Sequence, residues 1–506
     1  MPLSKDIEDA KFSGEDEEVV MLDPSETAEE ITTEGDVAMD SGSEEDGNDG
    51  DEHIQEIYLQ NDSSAYFDMH KDSIFCIAQN PLYPNLIATG GSEGDDAEGI
   101  GYIFDATPDL SPVLPASYLS APNETPERAG LSPIFKLEGH TDSINALTFT
   151  KPNGDFLLSA GLDGKLRAYA MKDKRWTFIG EAQEVEEINW LAACPNPNFP
   201  DTVAMGASDG SVWVFSIDAK SKEAPLCIVC SFFLHMASCT AGSWSPDGKL
   251  LATVSEEGSL YVWDVFGDGA AAGVTQGDGG SYVVGLTASD QRFAIDGGLF
   301  SVAISPNGTF LAAGGAGGSI KIVSIPRLSS ETSATEKHVT QRTKNAKTID
   351  ENSKSSLTIG QAGQILADLQ AQTDGVETLA FAPLPLTLLA AGSVDGSIVL
   401  YDSAHRFAVR KHIKNAHDEH SVVKVDFVSQ PDNKYILTSC GMDGVVRRWD
   451  SRGGNSAANS GLLREWKGHR GNGEGGGVLD FVQGDGTRIV TAGDDGISLV
   501  FDASMT

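Results

Sequence analysis

The residues best placed to do chemistry are carboxylates that crowd together. Glu184-Val185-Glu186-Glu187 puts three acids within four positions, and Glu256, Asp374, Glu377, Asp494 and Asp495 recur within two residues of a glycine further along the chain. Like charges gathered in this way repel one another, so they suit a cationic partner. Arg fits best, because carboxylates form short, often bidentate hydrogen bonds with it. A field of this sign also speeds capture of a basic chain. Catalytic chemistry has no comparable support. No GxxxxGK[ST] phosphate loop occurs, and the glycine-rich stretch 471–475 precedes a strand pattern rather than a helix. His417-Asp418-Glu419-His420 is not HExxH, and there is no GxSxG elbow. Cys227 and Cys230 form a lone CxxC with no second pair, which reads as strand thiols rather than a zinc or redox site. The expectation is a non-enzymatic protein with no cofactor and no metal.

Composition agrees with a binding role and narrows the partner. The chain has 506 residues, 75 acidic and 35 basic, for a net charge of −40. Phosphate binding needs Lys and Arg to displace counterions, so no direct nucleic-acid partner is expected. The first 60 residues carry 21 acids against Lys5 and Lys11, and few aromatics. Such a segment cannot bury enough apolar surface to offset its chain entropy, and residues 1–56 read as a disordered acidic tail. Hydrophobic residues make up 40 % of the chain, with 7 Trp, 21 Phe and 10 Tyr, enough for a core. The N-terminus lacks an apolar stretch after a basic start, and no run approaches the ~18 apolar residues of a membrane helix. The six cysteines are scattered, which suits reduced thiols. A cytoplasmic monomer with no membrane partner is expected, with the nucleus as a second compartment.

The elements that must position the carboxylates show themselves as a repeat. One pattern occurs eight times: an acidic-Gly or Gly-Gly turn, then a strand with an apolar residue five positions after the Gly. It reads EGIGYIFD (98–105), DGKLRAYA (163–170), DGSVWVFS (209–216), EGSLYVWD (257–264), GGSIKIVS (317–324), DGSIVLYD (395–402), DGVVRRWD (443–450) and DGISLVFD (495–502). The fifth positions are Phe104, Tyr169, Phe215, Trp263, Val323, Tyr401, Trp449 and Phe501. Each copy follows a strand ending in small residues, such as LIATGG or LLAAGS, and before that another short apolar strand. Alternation, β-branched residues and Gly/Asn/Asp turns predict strands throughout.

This pattern resembles the WD40-repeat β-propeller over residues 57–506. Gly139-His140 and Gly468-His469 keep the first half of that family's signature, and Trp263-Asp264 and Trp449-Asp450 keep the second. The expected fold is all-β, with eight blades, or seven if the weak copy at Gly317 is not a blade. The last copy lacks a fourth strand, and the segment 58–67 is placed to supply it and close the ring. Insertions are expected at 106–133, 266–281 and 326–358, lengths that surface loops tolerate. The turn acids Asp163, Asp209, Asp395 and Asp443 read as structural.

In a propeller, the loops entering the innermost strands and the acidic-Gly turns emerge on one face. Register then gathers Phe75, Ser143, Asn145, Glu187, Asn189, Asp374 and Glu377 from the first set. Glu256, Met442, Asp494 and Asp495 come from the second, and Glu184 and Glu186 from the loop of the third blade. Three stretches are more specific: AYFDMHKDSIFCIA (65–78), QEVEEINWL (183–191) and IVTAGDDGISLVFD (489–502). With the acidic tail they resemble the fungal WD-repeat chaperone family named for suppressing truncations of a ribosomal protein, whose animal relative is the angio-associated migratory cell protein. The resemblance implies a dedicated chaperone for the basic N-terminal segment of the large-subunit ribosomal protein L-ten (universal L-sixteen class). It implies contacts around Glu187, Glu377 and Asp494, and leaves the contact at Ser143 open. The alternative is a general scaffold or adaptor in ubiquitin ligation, chromatin or signalling.

Overall fold

A computed structural model describes residues 60–94, 98–107, 128–172, 175–221, 223–277, 279–328, 362–430, 434–452, 461–471 and 475–504. The acidic tail, and most of the insertions at 106–133 and 326–358, lie outside the described residues. Eight antiparallel sheets form the eight blades of a propeller. From the inner strand outward, blade 2 runs Ile144–Phe149, Phe156–Gly161, Lys165–Lys172 and Arg175–Gln183. Blades 1 and 3 to 7 repeat that order, and blade 8 repeats its first three strands. The copy at Gly317 belongs to a complete blade: Leu299–Ile304, Phe310–Gly315, Ser319–Ser324 and Ile365–Gln370, the fifth of eight. The insertion at 266–281 contains a one-turn helix, Asp268–Ala271.

Ring closure uses distant segments. Ala65–Phe67 pairs antiparallel with Ser498–Asp502, supplying the fourth strand of blade 8. Ala129–Gly130 then pairs in parallel with Ala65–Phe67, a fifth strand that covers the edge. The contacts of the innermost strands run round the ring, from Ile74–Gln79 to Ile144–Phe149 and so on to Val478–Val482, which touches Ile74–Gln79 again.

The repeat pattern follows from packing between blades. All eight residues five positions after the turn Gly are buried, none more than 3 % exposed. Aromatic members meet the outer strand of the blade before. Phe104 stacks on Phe67 with ring centroids 4.3 Å apart, Trp263 stacks on Phe232 at 4.4 Å, and Tyr169 meets Phe135 edge-on at 5.9 Å. Burying 150–250 Å² per aromatic is worth up to about 4–6 kcal/mol each, an upper bound set by an extended unfolded chain. The small residues ending each second strand have a separate cause. A Cβ on Gly90 would lie 2.6 Å from Ile144 Cγ2 of the next blade, and one on Gly392 would lie 2.7 Å from Val422 Cγ1. The next inner strand seats directly on that backbone.

Candidate peptide-binding face

One hydrogen bond recurs in every blade and defines the face. The backbone N–H of the residue after the second strand donates to the carbonyl just before the first strand. The pairs are Ser92–Ser73, Leu162–Ser143, Ser208–Glu187, Glu256–Ser238, Ala316–Gly298, Val394–Gly375, Met442–Ser421 and Asp494–Gly477, at 2.9–3.2 Å. Each turn is thereby tied to the loop entering the inner strand. A β-bulge also recurs at the second residue of every inner strand, leaving Phe75, Asn145, Asn189, Thr240, Phe300, Glu377, Val423 and Leu479 out of the pairing. Bulges re-aim side chains, and here they do so at the end of the strand nearest the turns.

Most turn acids brace the fold. In blade 2, His140 Nδ1 meets Asp163 Oδ1 at 3.0 Å and its Nε2 meets Ser159 Oγ at 2.7 Å, while the Thr141 and Lys165 N–H groups donate to the same carboxylate. Blade 7 repeats this with His417, Asp443 and Ser439, and Trp449 Nε1 also donates to Ser439 Oγ at 2.8 Å. Arg447 adds an ion pair to Asp443. Blade 8 uses His469, Asp495 and Thr491. Burial opposes ionisation of Asp163, but the bonds from His140 and the neighbouring N–H groups outweigh it and hold the acid down to about 2. Asp443 is held to about 2 in the same balance, by His417 and Arg447. Burial pushes His235 down to about 4, leaving it neutral at pH 7. Asp495, expected to meet a partner, therefore belongs with the braced turns.

Blade 3 differs. Its loop carries no His, and Val185 is buried there instead. Asp209 is exposed and accepts only from the N–H and hydroxyl of Ser211 among the described residues, at 2.8 and 2.6 Å. It lines a shallow depression with Gln183, Glu184, Glu186 and Ser208. Glu184, Glu186 and Glu187 are all exposed. Asp209 closes its turn, as a structural reading expects, and is also open to solvent.

Glu377 is the bulge residue of blade 6, and it and Asp374 are exposed. A Cβ on Gly375 would lie 3.3 Å from Glu377 Oε1 and 3.7 Å from the Phe300 ring, so carboxylate and ring flank the same glycine. Although the residue reaches solvent, partial desolvation of its carboxyl, with Asp374 adding to it, raises Glu377 above its ordinary range. An arriving guanidinium would relieve both effects and could stack on Phe300. Phe300 was not singled out in the sequence, where only its place in the bulge register marks it. Phe75 holds the same bulge position in blade 1 and is 39 % exposed.

Other expected contacts have internal roles. Asp494 Oδ1 accepts from Ser73 Oγ at 2.6 Å and Oδ2 from the Gly475 N–H at 2.7 Å, which ties blade 8 to blade 1. Asn145 Nδ2 donates to Ile188 O at 2.6 Å, and Asn189 Nδ2 donates to Cys239 O at 2.9 Å and Ser238 Oγ at 2.8 Å, stitching blades 2, 3 and 4. Ser143 supplies the carbonyl and Met442 the N–H in the recurrent bond, and both are half-buried. Glu256 is exposed. Among the carboxylates expected on this face, Glu184, Glu186, Glu187, Glu256, Asp374 and Glu377 are open, and Asp209 joins them.

Comparison with known proteins agrees with the fold and narrows the family. The WD domain, G-beta repeat model matches residues 131–169, 227–264, 291–324, 363–402 and 410–450. The ribosome assembly protein SQT1 of Saccharomyces cerevisiae is 26 % identical, covering 89 % of each chain. The human angio-associated migratory cell protein is 24 % identical, over 87 % of this chain and 80 % of its own. Crystal Sqt1 of Chaetomium thermophilum superposes with a TM-score of 0.74 at 54 % identity, covering 88 % of this chain and 98 % of that one. A second crystal structure of that protein, bound to the N-terminus of ribosomal protein L10, gives the same TM-score at 52 % identity, covering 88 % and 100 %. The chain is a WD-repeat propeller and belongs to the Sqt1 family of ribosome assembly proteins.

Proposed function

We propose that this protein is a dedicated assembly chaperone that holds the basic N-terminal segment of newly made ribosomal protein L10 until it joins the large subunit. The observation that carries this reading is the 52 % identity, across the whole propeller, to a Sqt1 solved with the L10 N-terminus bound. The open carboxylates fit such a client. A segment built to bind rRNA phosphate carries Arg and Lys, and clustered carboxylates offer it charge-assisted hydrogen bonds in place of phosphate. At an effective dielectric of ~20, each close ion pair gains about 4 kcal/mol before desolvation is counted. Glu377 is suited to this, since a cation would favour the ionised form that desolvation and Asp374 disfavour. Hand-over of the client would take place in the cytoplasm, which imaging of a tagged chain checks.

The test is the double substitution Glu187→Lys, Glu377→Lys. Calorimetric titration with a synthetic L10 N-terminal peptide should show affinity falling by about two orders of magnitude, because each reversal replaces attraction by repulsion. Unchanged affinity in a folded double variant overturns the proposal. Raising the salt should weaken the wild-type complex, since exposed charges are screened over ~8–10 Å.

A further inference from the structure

The loop entering blade 4 carries three large apolar residues into solvent: Phe233 is 62 % exposed, Leu234 41 % and Met236 85 %. Singly exposed apolar side chains are ordinary, but three within four residues on an anchored loop are not scatter. The anchor is His235, buried between them, with Nδ1 2.6 Å from Ser259 Oγ and Nε2 2.8 Å from Thr253 Oγ1. Two further contacts hold the loop open. The Met236 N–H donates to Glu257 Oε1 at 2.8 Å. On the other side, the loop lies against the turn of blade 3, where a Cβ on Gly210 would come 2.6 Å from Ala237 O. Phe233 leans edge-on against Trp213, with centroids 5.6 Å apart, so its ring is fixed as well.

The apolar group therefore sits between two open carboxylates, Asp209 on blade 3 and Glu256 on blade 4. We infer that this arc selects the client's chemistry: it binds an extended segment in which a bulky apolar side chain lies between cationic residues. Carboxylates alone would accept any polycation. An apolar seat between them discriminates, because a client with only polar residues there leaves Leu234 and Met236 exposed. The inference rests on the client-binding reading above, and it adds specificity to that face.

Two synthetic peptides of equal charge test it with the full chain, one alternating Arg with Leu and the other Arg with Ser. Wild type should prefer the Arg-Leu peptide by about tenfold, the scale of burying one aliphatic side chain. Apolar burial is not screened, so the preference should persist at 0.5 M NaCl while both affinities fall. In the Leu234→Ser, Met236→Ser variant it should drop below about twofold, with Arg-Ser binding unchanged. Both side chains are exposed, so this variant should fold as wild type does. An equal affinity of wild type for the two peptides overturns the inference, as does an undiminished preference in the variant or no binding of either peptide. If the L10 peptide still binds wild type and fails on Glu187→Lys, Glu377→Lys, the chaperone reading survives that loss. If the L10 peptide does not bind wild type at all, the chaperone reading itself falls.

Discussion

Blades 2 and 3 hold the same Asp-Gly turn, and the aspartate does opposite things in them. Asp163 accepts from His140 and two backbone N–H groups and is largely enclosed. Asp209 has no histidine to meet, bonds only within its own turn and stands open beside Glu184 and Glu186. The turn supplies a carboxylate at a fixed place, and its neighbours decide whether it is enclosed or open to solvent. Histidine is not required for the brace: in blade 6 Gln372 takes its place, and Asp395 still accepts from the N–H and hydroxyl of Thr373.

Alanine scanning should separate the two uses sharply. In Asp443→Ala, His417 and Arg447 lose their shared carboxylate while remaining buried. Breaking a buried charged network from one side costs about 3–5 kcal/mol, so the urea midpoint should fall steeply. Asp209→Ala removes an exposed group and should shift stability by about 1 kcal/mol or less. Equal midpoint shifts for the two would erase the distinction between braced and open turns.

Client affinity should invert that ranking. Asp209→Asn is expected to weaken L10-peptide binding by about three- to tenfold, the effect of one partly screened ion pair, with little change in melting temperature. Asp163→Asn should leave the affinity of the folded fraction unchanged. Titration of both variants at low salt makes the comparison.

These differences explain what could be read in advance. The eight blades were legible because each carries a local signal: a glycine turn, left-handed in every blade but the first, a buried apolar residue five positions on, and a small-residue strand. Gly317 looked weak for lack of an acidic residue, yet its blade has all four strands, with Ile320, Ile322 and Val323 buried as their counterparts are in the other copies. The strand 129–130 was not legible, since two residues in a Pro/Ser-rich insertion carry no periodicity. Most of the face could be ordered by register. The fate of each side chain could not, because it depends on neighbours distant in sequence: Asn145 reaches Ile188 O, and Asp494 reaches Ser73. Asp209 and Asp163 look alike until the partners are in place.

Acid should distinguish the two groups as well. Asp163 and Asp443 have folded-state carboxyls near 2, below the ordinary 3.8. A depressed acid contributes stability that is full above its unfolded value and is lost as pH falls through the folded one. Wild type should therefore lose stability most steeply between about pH 4 and 2, and Asp443→Ala should show a shallower slope there. Denaturant midpoints measured at intervals across that range give the slope.

Glu377 carries the sign the other way and gives the smallest effect on stability. Its carboxyl is raised by partial desolvation and by Asp374, so in the window just above 4.5 the folded state binds more protons than the unfolded state. The contribution of such a group is greatest below its unfolded value and falls as pH rises through the folded one. At pH 7 an ionised Glu377 is slightly unfavourable to the free propeller, and Glu377→Gln should melt at the same temperature or a little higher. The same change should weaken client binding by about tenfold, because the amide cannot pair with a guanidinium. A cation that lowers the carboxyl toward its usual range must also expel a proton in mildly acidic solution, just above the ordinary carboxylate range. Calorimetry in two buffers of different ionisation heat should detect that release in wild type and a smaller one in Glu377→Gln. Equal proton release by the two proteins would mean that the client does not meet this carboxylate, and that blade 6 is closed to it while blade 3 is open.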